Sequence, residues 1–298
     1  MSAVTSRQTP SLTQVSAGRK IKDRVVQALV YLSFLLALIP LVSVLWTVVS
    51  NGAKRLDATF LTHSMNGLAG HDPGGGVYHA LIGTLQEVAL AAALAVPLGL
   101  LTAVYLVEYA QGGRLSKAVS FFVDVMTGVP SIVAGLFVLA FWLLGLGFGF
   151  SGFAGAMALA ILMTPTVVRT TEEMLKLVPN DLREASFALG VPRWRTIMFV
   201  VLPTALTGIL SGVMLAVARV MGETAPLLLT NFVTKAINPN PFQGPQEALP
   251  TFIWDQSTDP NLNAVDRAWA GALLLIIIIM LLNLVARLIA WLRKPATR

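Results

Sequence analysis

The sequence predicts an all-α membrane protein with six transmembrane helices, and three observations carry that prediction. Of 298 residues, 55% are hydrophobic and only 12% are charged, against about 25% charged in an ordinary soluble domain. The mean hydropathy is +0.74, and a water-soluble fold of this size has nowhere to hide that much apolar surface. The apolar residues fall into six stretches, each meeting the roughly 20 residues a helix needs to cross a hydrocarbon core. Together these exclude an ordinary soluble enzyme, a disordered chain and a nucleic-acid-binding module. The net charge of +6 does not restore the last, because the positions of the basic residues explain it better. The chain has no Cys, which excludes disulfide frameworks and thiolate metal or redox sites.

In chain order, residues 1–24 read as a polar cytoplasmic tail rich in Ser, Thr and Gln, followed by a first span at about 25–50. That run is too long for the apolar region of a signal peptide, and no small-residue cleavage site follows it. Further spans are expected at about 82–109, 118–145, 152–170, 198–229 and 268–292, with Pro97 and Pro130 as candidate kinks. The third and fourth meet at Gly145-Leu-Gly-Phe-Gly-Phe-Ser-Gly152, a tight uncharged hairpin. Its Gly147-x-Gly149-x-x-Gly152 matches a dinucleotide fingerprint only formally, since no strand precedes it and no acidic partner follows. Gly208-x-x-x-Gly212 in the fifth span fits close helix packing.

Positive charge sets the orientation. With these spans, sixteen of the 21 Lys and Arg residues fall on one face, including the Arg19–Arg24 and Arg193–Arg195 clusters and the C-terminal group. Lys54, Arg55, Lys235 and Arg267 fall on the other, and Arg219 lies inside a span. Both termini are therefore expected to be cytoplasmic.

Two outer loops are long. Loop 51–81 carries His63, His71, His79 and Asp72. A metal site is conceivable there, but the spacing matches no ligand template, and Pro73-Gly-Gly-Gly76 predicts a turn. Loop 230–267 holds the apolar stretch Ala248-Leu-Pro-Thr-Phe-Ile-Trp254, which suits either a re-entrant helix or a docking surface. Glu87 is expected near an interface, and Glu108 and Asp124 near cytoplasmic ends, paired with loop cations.

The cytoplasmic loop 171–197 is more specific. Asp181, three residues before Glu184, suggests a capping box, and Gly190 followed by Pro192 marks a stop. The spacing predicts a short helix from Leu182 to Leu189, with Leu182, Ala185, Ser186 and Leu189 on one face. So short a helix is unstable alone in water. It needs a surface to pack on, either a second cytoplasmic protein or, if it is a plain elbow, the spans themselves.

Glu184-Ala185-Ser186, Gly190 and Val200-Val201-Leu202-Pro203 resemble the EAA loop of ABC-importer permeases, whose pattern is Glu-Ala-Ala, Gly, Ile-x-Leu-Pro at the same spacing. Ser186 and Val200 are small departures. The resemblance covers about residues 83–291. It implies the type I ABC-importer permease fold, and a short helix that docks through Leu182, Glu184, Ala185, Ser186, Leu189 and Gly190 on a cytoplasmic ATPase subunit. The chain has no G-x-x-x-x-G-K-[ST], so ATP and Mg are expected on a separate ATPase chain, with no cofactor on this one.

Arg219 and Glu223 stand four residues apart, some ~22–30 Å along the fifth span from its Leu202-Pro203 entry. Ionisable groups at that depth are expensive in lipid and face protein or water. They form either a structural ion pair or an oxyanion site, since a guanidinium offers a planar fork to oxyanions. A neighbouring carboxylate accepts a hydrogen bond from the P–OH that phosphate keeps near neutral pH and sulfate lacks.

Arg219-Val-Met-Gly-Glu-Thr-Ala-Pro226 is similar to a segment of phosphate-import permeases, and so is Thr164-Pro-Thr-Val-Val-Arg-Thr-Thr-Glu-Glu-Met174. The chain thereby resembles permeases of the PstA type. That implies a PstC-type partner permease, an ATPase dimer and an extracytoplasmic phosphate-binding protein, with Arg219, Glu223 and Arg169 as candidate substrate-binding residues. Arg169, near the cytoplasmic boundary, reads equally as a charge anchor. Rival readings are an ABC permease for another oxyanion or small solute, and an ATP-independent secondary carrier.

Overall fold

The computed structural model describes residues 17–110 and 112–292, and among these it is helical with no strand. The first sixteen and last six residues, which include most of the expected tail and the C-terminal basic cluster, lie outside the described residues. The chain divides into two units, Met1–Ser50 and Asn51–Arg298.

The described part of the first unit is one helix, α1 (Ala17–Gly52), with Pro40 inside it. Residues 17–24, the end of the expected polar tail, are therefore helical. At 36 residues the helix is about 54 Å long, well beyond a hydrocarbon core of about 30 Å. The Arg19–Arg24 charges thus have room to sit outside the apolar layer.

The second unit opens with a short α2 (Ala58–Thr62), capped where the Asp57 carboxylate accepts the Phe60 N–H at 2.6 Å. Next comes α3 (Tyr78–Val104), extended by a π-helical turn at Tyr105–Tyr109. Pro97 lies within α3 without interrupting it. The expected span 118–145 is not one straight helix. It consists of α4 (Arg114–Gly128) and α5 (Ser131–Val138, with a π-helical turn to Gly145), bent by 106° at the break. Pro130 stands in that break as the N-cap of α5. It has no N–H to continue the helix and keeps Val129 extended, which accounts for the bend.

The central helix, α6 (Gly152–Lys176), runs six residues past the expected end. Its apolar face is rich in Ala and Gly, and the main core joins Ala156, Leu159 and Met163 to Ala91 and Ala95 of α3 and Ala216 and Val220 further on. Small residues let the backbones approach. A Cβ on Gly99 would lie 2.7 Å from Val167 Cγ1, and one on Gly212 2.6 Å from Thr170 Oγ1. The expected packing role of Gly208-x-x-x-Gly212 is thus met against α6.

After α6 come α7 (Asn180–Ala188) and α8 (Arg193–Thr196), which passes through a π-helical turn at Ile197–Val201 into α9 (Leu202–Met221). The expected fifth span to 229 is cut at Gly222-Glu223-Thr224, and a separate α10 (Ala225–Thr230) follows. The loop after it carries α11 (Leu249–Thr258), and α12 (Leu262–Leu292) closes the fold. Leu249 and Phe252 of α11 join Phe60, Met65 and Val77 in a second core, so the apolar stretch 248–254 packs inward except for Trp254, which is exposed. Among the described residues five helices are long and apolar enough to cross a membrane, six if the bent α4–α5 pair counts as one.

Candidate functional site

The two regions singled out in the sequence lie on different elements. The first is the break after α9. Gly222 ends the helix, its N–H reaching the Arg219 carbonyl at 3.2 Å, and Pro226 in the first turn of α10 prevents the helix from simply continuing. The α10 start packs tightly on α5, where a Cβ on Gly135 would lie 2.6 Å from Pro226 Cα. Arg219 occupies the last turn of α9, exposed on the flank of this single chain, and Glu223 lies past the helix end, partly buried. The sequence expectation of one continuous helical face is corrected, because the break removes the i,i+4 relation. Among the described residues Arg219 and Glu223 form no ion pair with each other or with any other group, which removes the reading of a self-satisfied structural pair.

Arg169 contrasts with this. Its guanidinium donates to Glu172 Oε2 at 2.6 Å, to the Ser120 carbonyl at 3.1 Å and to the Asp124 carboxylate. Lys176 reaches the other Glu172 oxygen at 2.7 Å. The structure therefore places Arg169 in a charge network that ties α6 to α4, with two carboxylates already on its fork. An anion approaching it would have to compete with both.

The second region is α7. It begins after Pro179 with no side-chain cap, so the Asp181–Glu184 capping box does not form, and Asp181 instead sits in the first turn, where the helix dipole favours an acid. At the other end Gly190 adopts φ +74°, and its N–H meets the Phe187 carbonyl at 2.9 Å. Glycine makes that left-handed residue inexpensive. The expected four-residue face is split. Ser186 turns inward, 7% exposed, with its Oγ 2.8 Å from Thr196 Oγ1. Leu182 and Leu189 face outward with Phe187, while Glu184 and Ala185 are exposed and Glu184 has no bonded partner among the described residues. Leu189 is 83% exposed, a large apolar area with nothing on it.

Sequence reasoning did not single out Phe187, nor which cations of the loop, Arg183 and Arg193, reach the end of α3. Arg183 donates to Glu108 Oε1 from Nε at 3.1 Å and from Nη2 at 2.8 Å. Only the expectation that Glu108 pairs with loop cations pointed that way.

At the opposite end of the bundle, polar groups hold the long loops down. Arg267, counted in the sequence as an outer-face charge, is fully buried and donates to Gln256 Oε1 at 2.8 Å and to the Gly70 and Asp72 carbonyls at 2.8 and 2.9 Å. His79 Nε2 lies 3.0 Å from Glu247 Oε2, both groups buried. Burial pushes the Glu247 carboxyl above the ordinary carboxylate range, against the lowering effect of the His79 contact. Glu87 is buried, and one of its oxygens accepts from Asn231 Nδ2 at 2.9 Å. No cluster of three or more His, Asp or Glu with metal-binding geometry occurs among the described residues. His63, His71 and His79 do not converge.

Comparison with known proteins follows the same lines. Residues 95–298 match the family described as binding-protein-dependent transport system inner membrane component. The chain is 50% identical over 281 residues, 94% of its length and 91% of the relative's, to the phosphate transport system permease protein PstA 1 of Mycobacterium tuberculosis (strain CDC 1551 / Oshkosh). It is 38% identical over 272 residues, 91% of its length and 95% of the relative's, to the phosphate transport system permease protein PstA of Pasteurella multocida (strain Pm70). Among solved structures it is similar to an inward-facing MetNI methionine ABC transporter, with a TM-score of 0.58 and 21% identity over 74% of this chain and 95% of that one. It is also similar to a bacterial ABC transporter that imports the acidic polysaccharide alginate, with a TM-score of 0.64 and 15% identity over 90% of this chain and 96% of that one. At these identities the structures bear on the fold alone.

Proposed function

The chain belongs to the family of binding-protein-dependent transport system inner membrane components, and from that premise we propose that it is the transmembrane permease subunit of an ATP-driven importer of inorganic phosphate. It is a multi-pass membrane protein with the helical fold of ABC-importer permeases. The PstA relatives, aligned over nearly the whole chain, support phosphate as the cargo. The observation that carries the reading in the molecule itself is Arg219, an exposed guanidinium without a carboxylate partner among the described residues, on the flank of a long apolar helix. Such a group is too costly to leave against lipid. It belongs on a water path shared with a second permease of PstC type, where its fork can meet the oxygens of phosphate. Glu223, just past the helix break, suits a protonated oxyanion better than sulfate.

The remaining partners are an ATPase dimer on the face of α7 and an extracytoplasmic phosphate-binding protein on the face of α11, with both termini cytoplasmic. ATP closes the ATPase pair, the α7 helices are drawn together, and the path opens outward. Hydrolysis returns it to the cytoplasm. The ATP and Mg are handled by the ATPase chains, and Arg219 offers a site weak enough to release its cargo. Arg169 is the weaker path candidate because two carboxylates already occupy it.

The test is uptake of labelled phosphate, against sulfate, by proteoliposomes holding this chain, the partner permease, the ATPase and the binding protein. ATP-dependent uptake selective for phosphate is expected. Equal sulfate uptake would move the cargo to another oxyanion, and gradient-driven uptake without ATP would point to a secondary carrier.

A further inference from the structure

We propose that Glu108 is a positioning residue that carries the displacement of α7 directly into α3. The proposal rests on the reading of α7 as the helix an ATPase moves, and it concerns the route by which that movement enters the membrane-spanning bundle.

Apart from backbone bonds at its ends, α7 is attached to the rest of the chain by two polar side chains among the described residues. Ser186 bonds to Thr196, which belongs to the same loop. The other is Arg183, which crosses 75 residues of sequence to place Nε and Nη2 on the same Glu108 oxygen. Its remaining N–H groups reach the Leu175 carbonyl at 3.0 Å and the Val178 carbonyl at 2.7 Å, so the fork clamps the ends of α3 and α6 together. The return arm of the loop converges on the same place. Arg193 donates to the Glu108 backbone carbonyl, and its guanidinium lies 5.2 Å from the Tyr109 ring centroid.

The backbone supports that convergence. Glu108 lies in the π-helical turn that ends α3, where Ala110 N–H bonds to the Tyr105 carbonyl at 2.9 Å. The helix ends at Tyr109, which leaves the Glu108 carbonyl free for Arg193 while its side chain faces Arg183. The pair is dry, Glu108 5% exposed and the Arg183 side chain 13%. A buried, forked ion pair resists separation, because breaking it strands a charge. Apolar contacts could slide under load, whereas this clamp holds one distance and one angle. From Glu108 the push enters a helix whose close approach at Gly99 and Val167 meshes it with α6.

The natural absence of cysteine makes the test direct. Spin labels at Asp181→Cys and Leu101→Cys, in the complete reconstituted importer, report the α7–α3 distance with and without trapped ATP. With Glu108 present the distance is expected to stay constant as the two helices move together. In Glu108→Gln, which keeps the size and one acceptor, ATP should change it by more than about 2 Å. Uptake per ATP hydrolysed should fall about tenfold, while the ATPase still co-purifies. Arg183→Lys, which keeps the charge but loses the fork, should give an intermediate change and serves as the second variant if Glu108→Gln assembles poorly. An unchanged distance and normal coupling in both variants overturns the proposal, as does an equal ATP-driven change with Glu108 intact. The distance readout needs nucleotide but no cargo. If the unmodified complex fails to import phosphate, the cargo reading fails while this proposal is still decided.

Discussion

The Arg169 guanidinium lies 2.6 Å from the Glu172 carboxylate on its own helix, whereas Arg219 on α9 has no carboxylate within bonding distance among the described residues. Two arginines that look alike in sequence are thereby separated in chemistry, one neutralised within the fold and one left to meet something outside this chain.

Arg219→Gln is expected to reduce phosphate uptake at least about a hundredfold, the scale of losing a charge-assisted oxyanion contact, with the complex still assembling. Arg169→Gln should act mainly on stability, lowering it by about 1 kcal/mol through loss of its bonds to α4. Labelled uptake and thermal unfolding, measured on both variants, check the split. Wild-type uptake in Arg219→Gln would remove that residue from the path.

Replacing the outward leucine, Leu189→Asp, is expected to weaken retention of the ATPase about tenfold while leaving the membrane unit folded. Gly190→Val should do so less directly, by straining the left-handed turn at φ +74° at a cost of about 1–2 kcal/mol. Co-purification on a tagged chain measures both. Undiminished retention in Leu189→Asp would leave the exposed face of α7 without its docking role.

Arg267→Met should destabilise the chain by about 3 kcal/mol, because it strands the Gln256 oxygen and the loop carbonyls that Arg267 now satisfies. Limited proteolysis near 70–74 would report the freed loop. Resistance equal to the parent would show that the loop holds without the clamp.

A pH dependence follows from Glu247. Its folded-state carboxyl is raised by burial, so it contributes stability that is fully present below the ordinary carboxylate range and is lost as pH rises through the elevated value. Thermal unfolding should therefore show falling stability across that window. Glu247→Gln, which keeps an acceptor for His79, should flatten the slope. An unchanged slope would assign the dependence elsewhere.

Much of the architecture was legible because it is written locally. Apolar runs mark spans wherever they fold, and Gly190 with Pro192 marks the stop of α7 from adjacent residues alone. The extension of α6 to Lys176 and the early start of α1 were missed because charged residues do not end a helix once it leaves the apolar layer. Pro130 and Gly222 were visible, but whether each would kink or sever its span depended on what packs against it. Gly135 against Pro226 is such a contact.

The sequence by itself determined the membrane character, the number of long apolar stretches, the short helix of loop 171–197 and the family resemblance, all properties of composition and short-range spacing. Only the tertiary structure decided which charges are spent within the chain. Asp124 meets Arg169 across 45 residues, Glu108 meets Arg183 across 75, and Arg267 meets the Gly70 carbonyl across 197. Each of those pairings depends on how helices pack in three dimensions, and a buried charge must find its partner wherever the packing brings one.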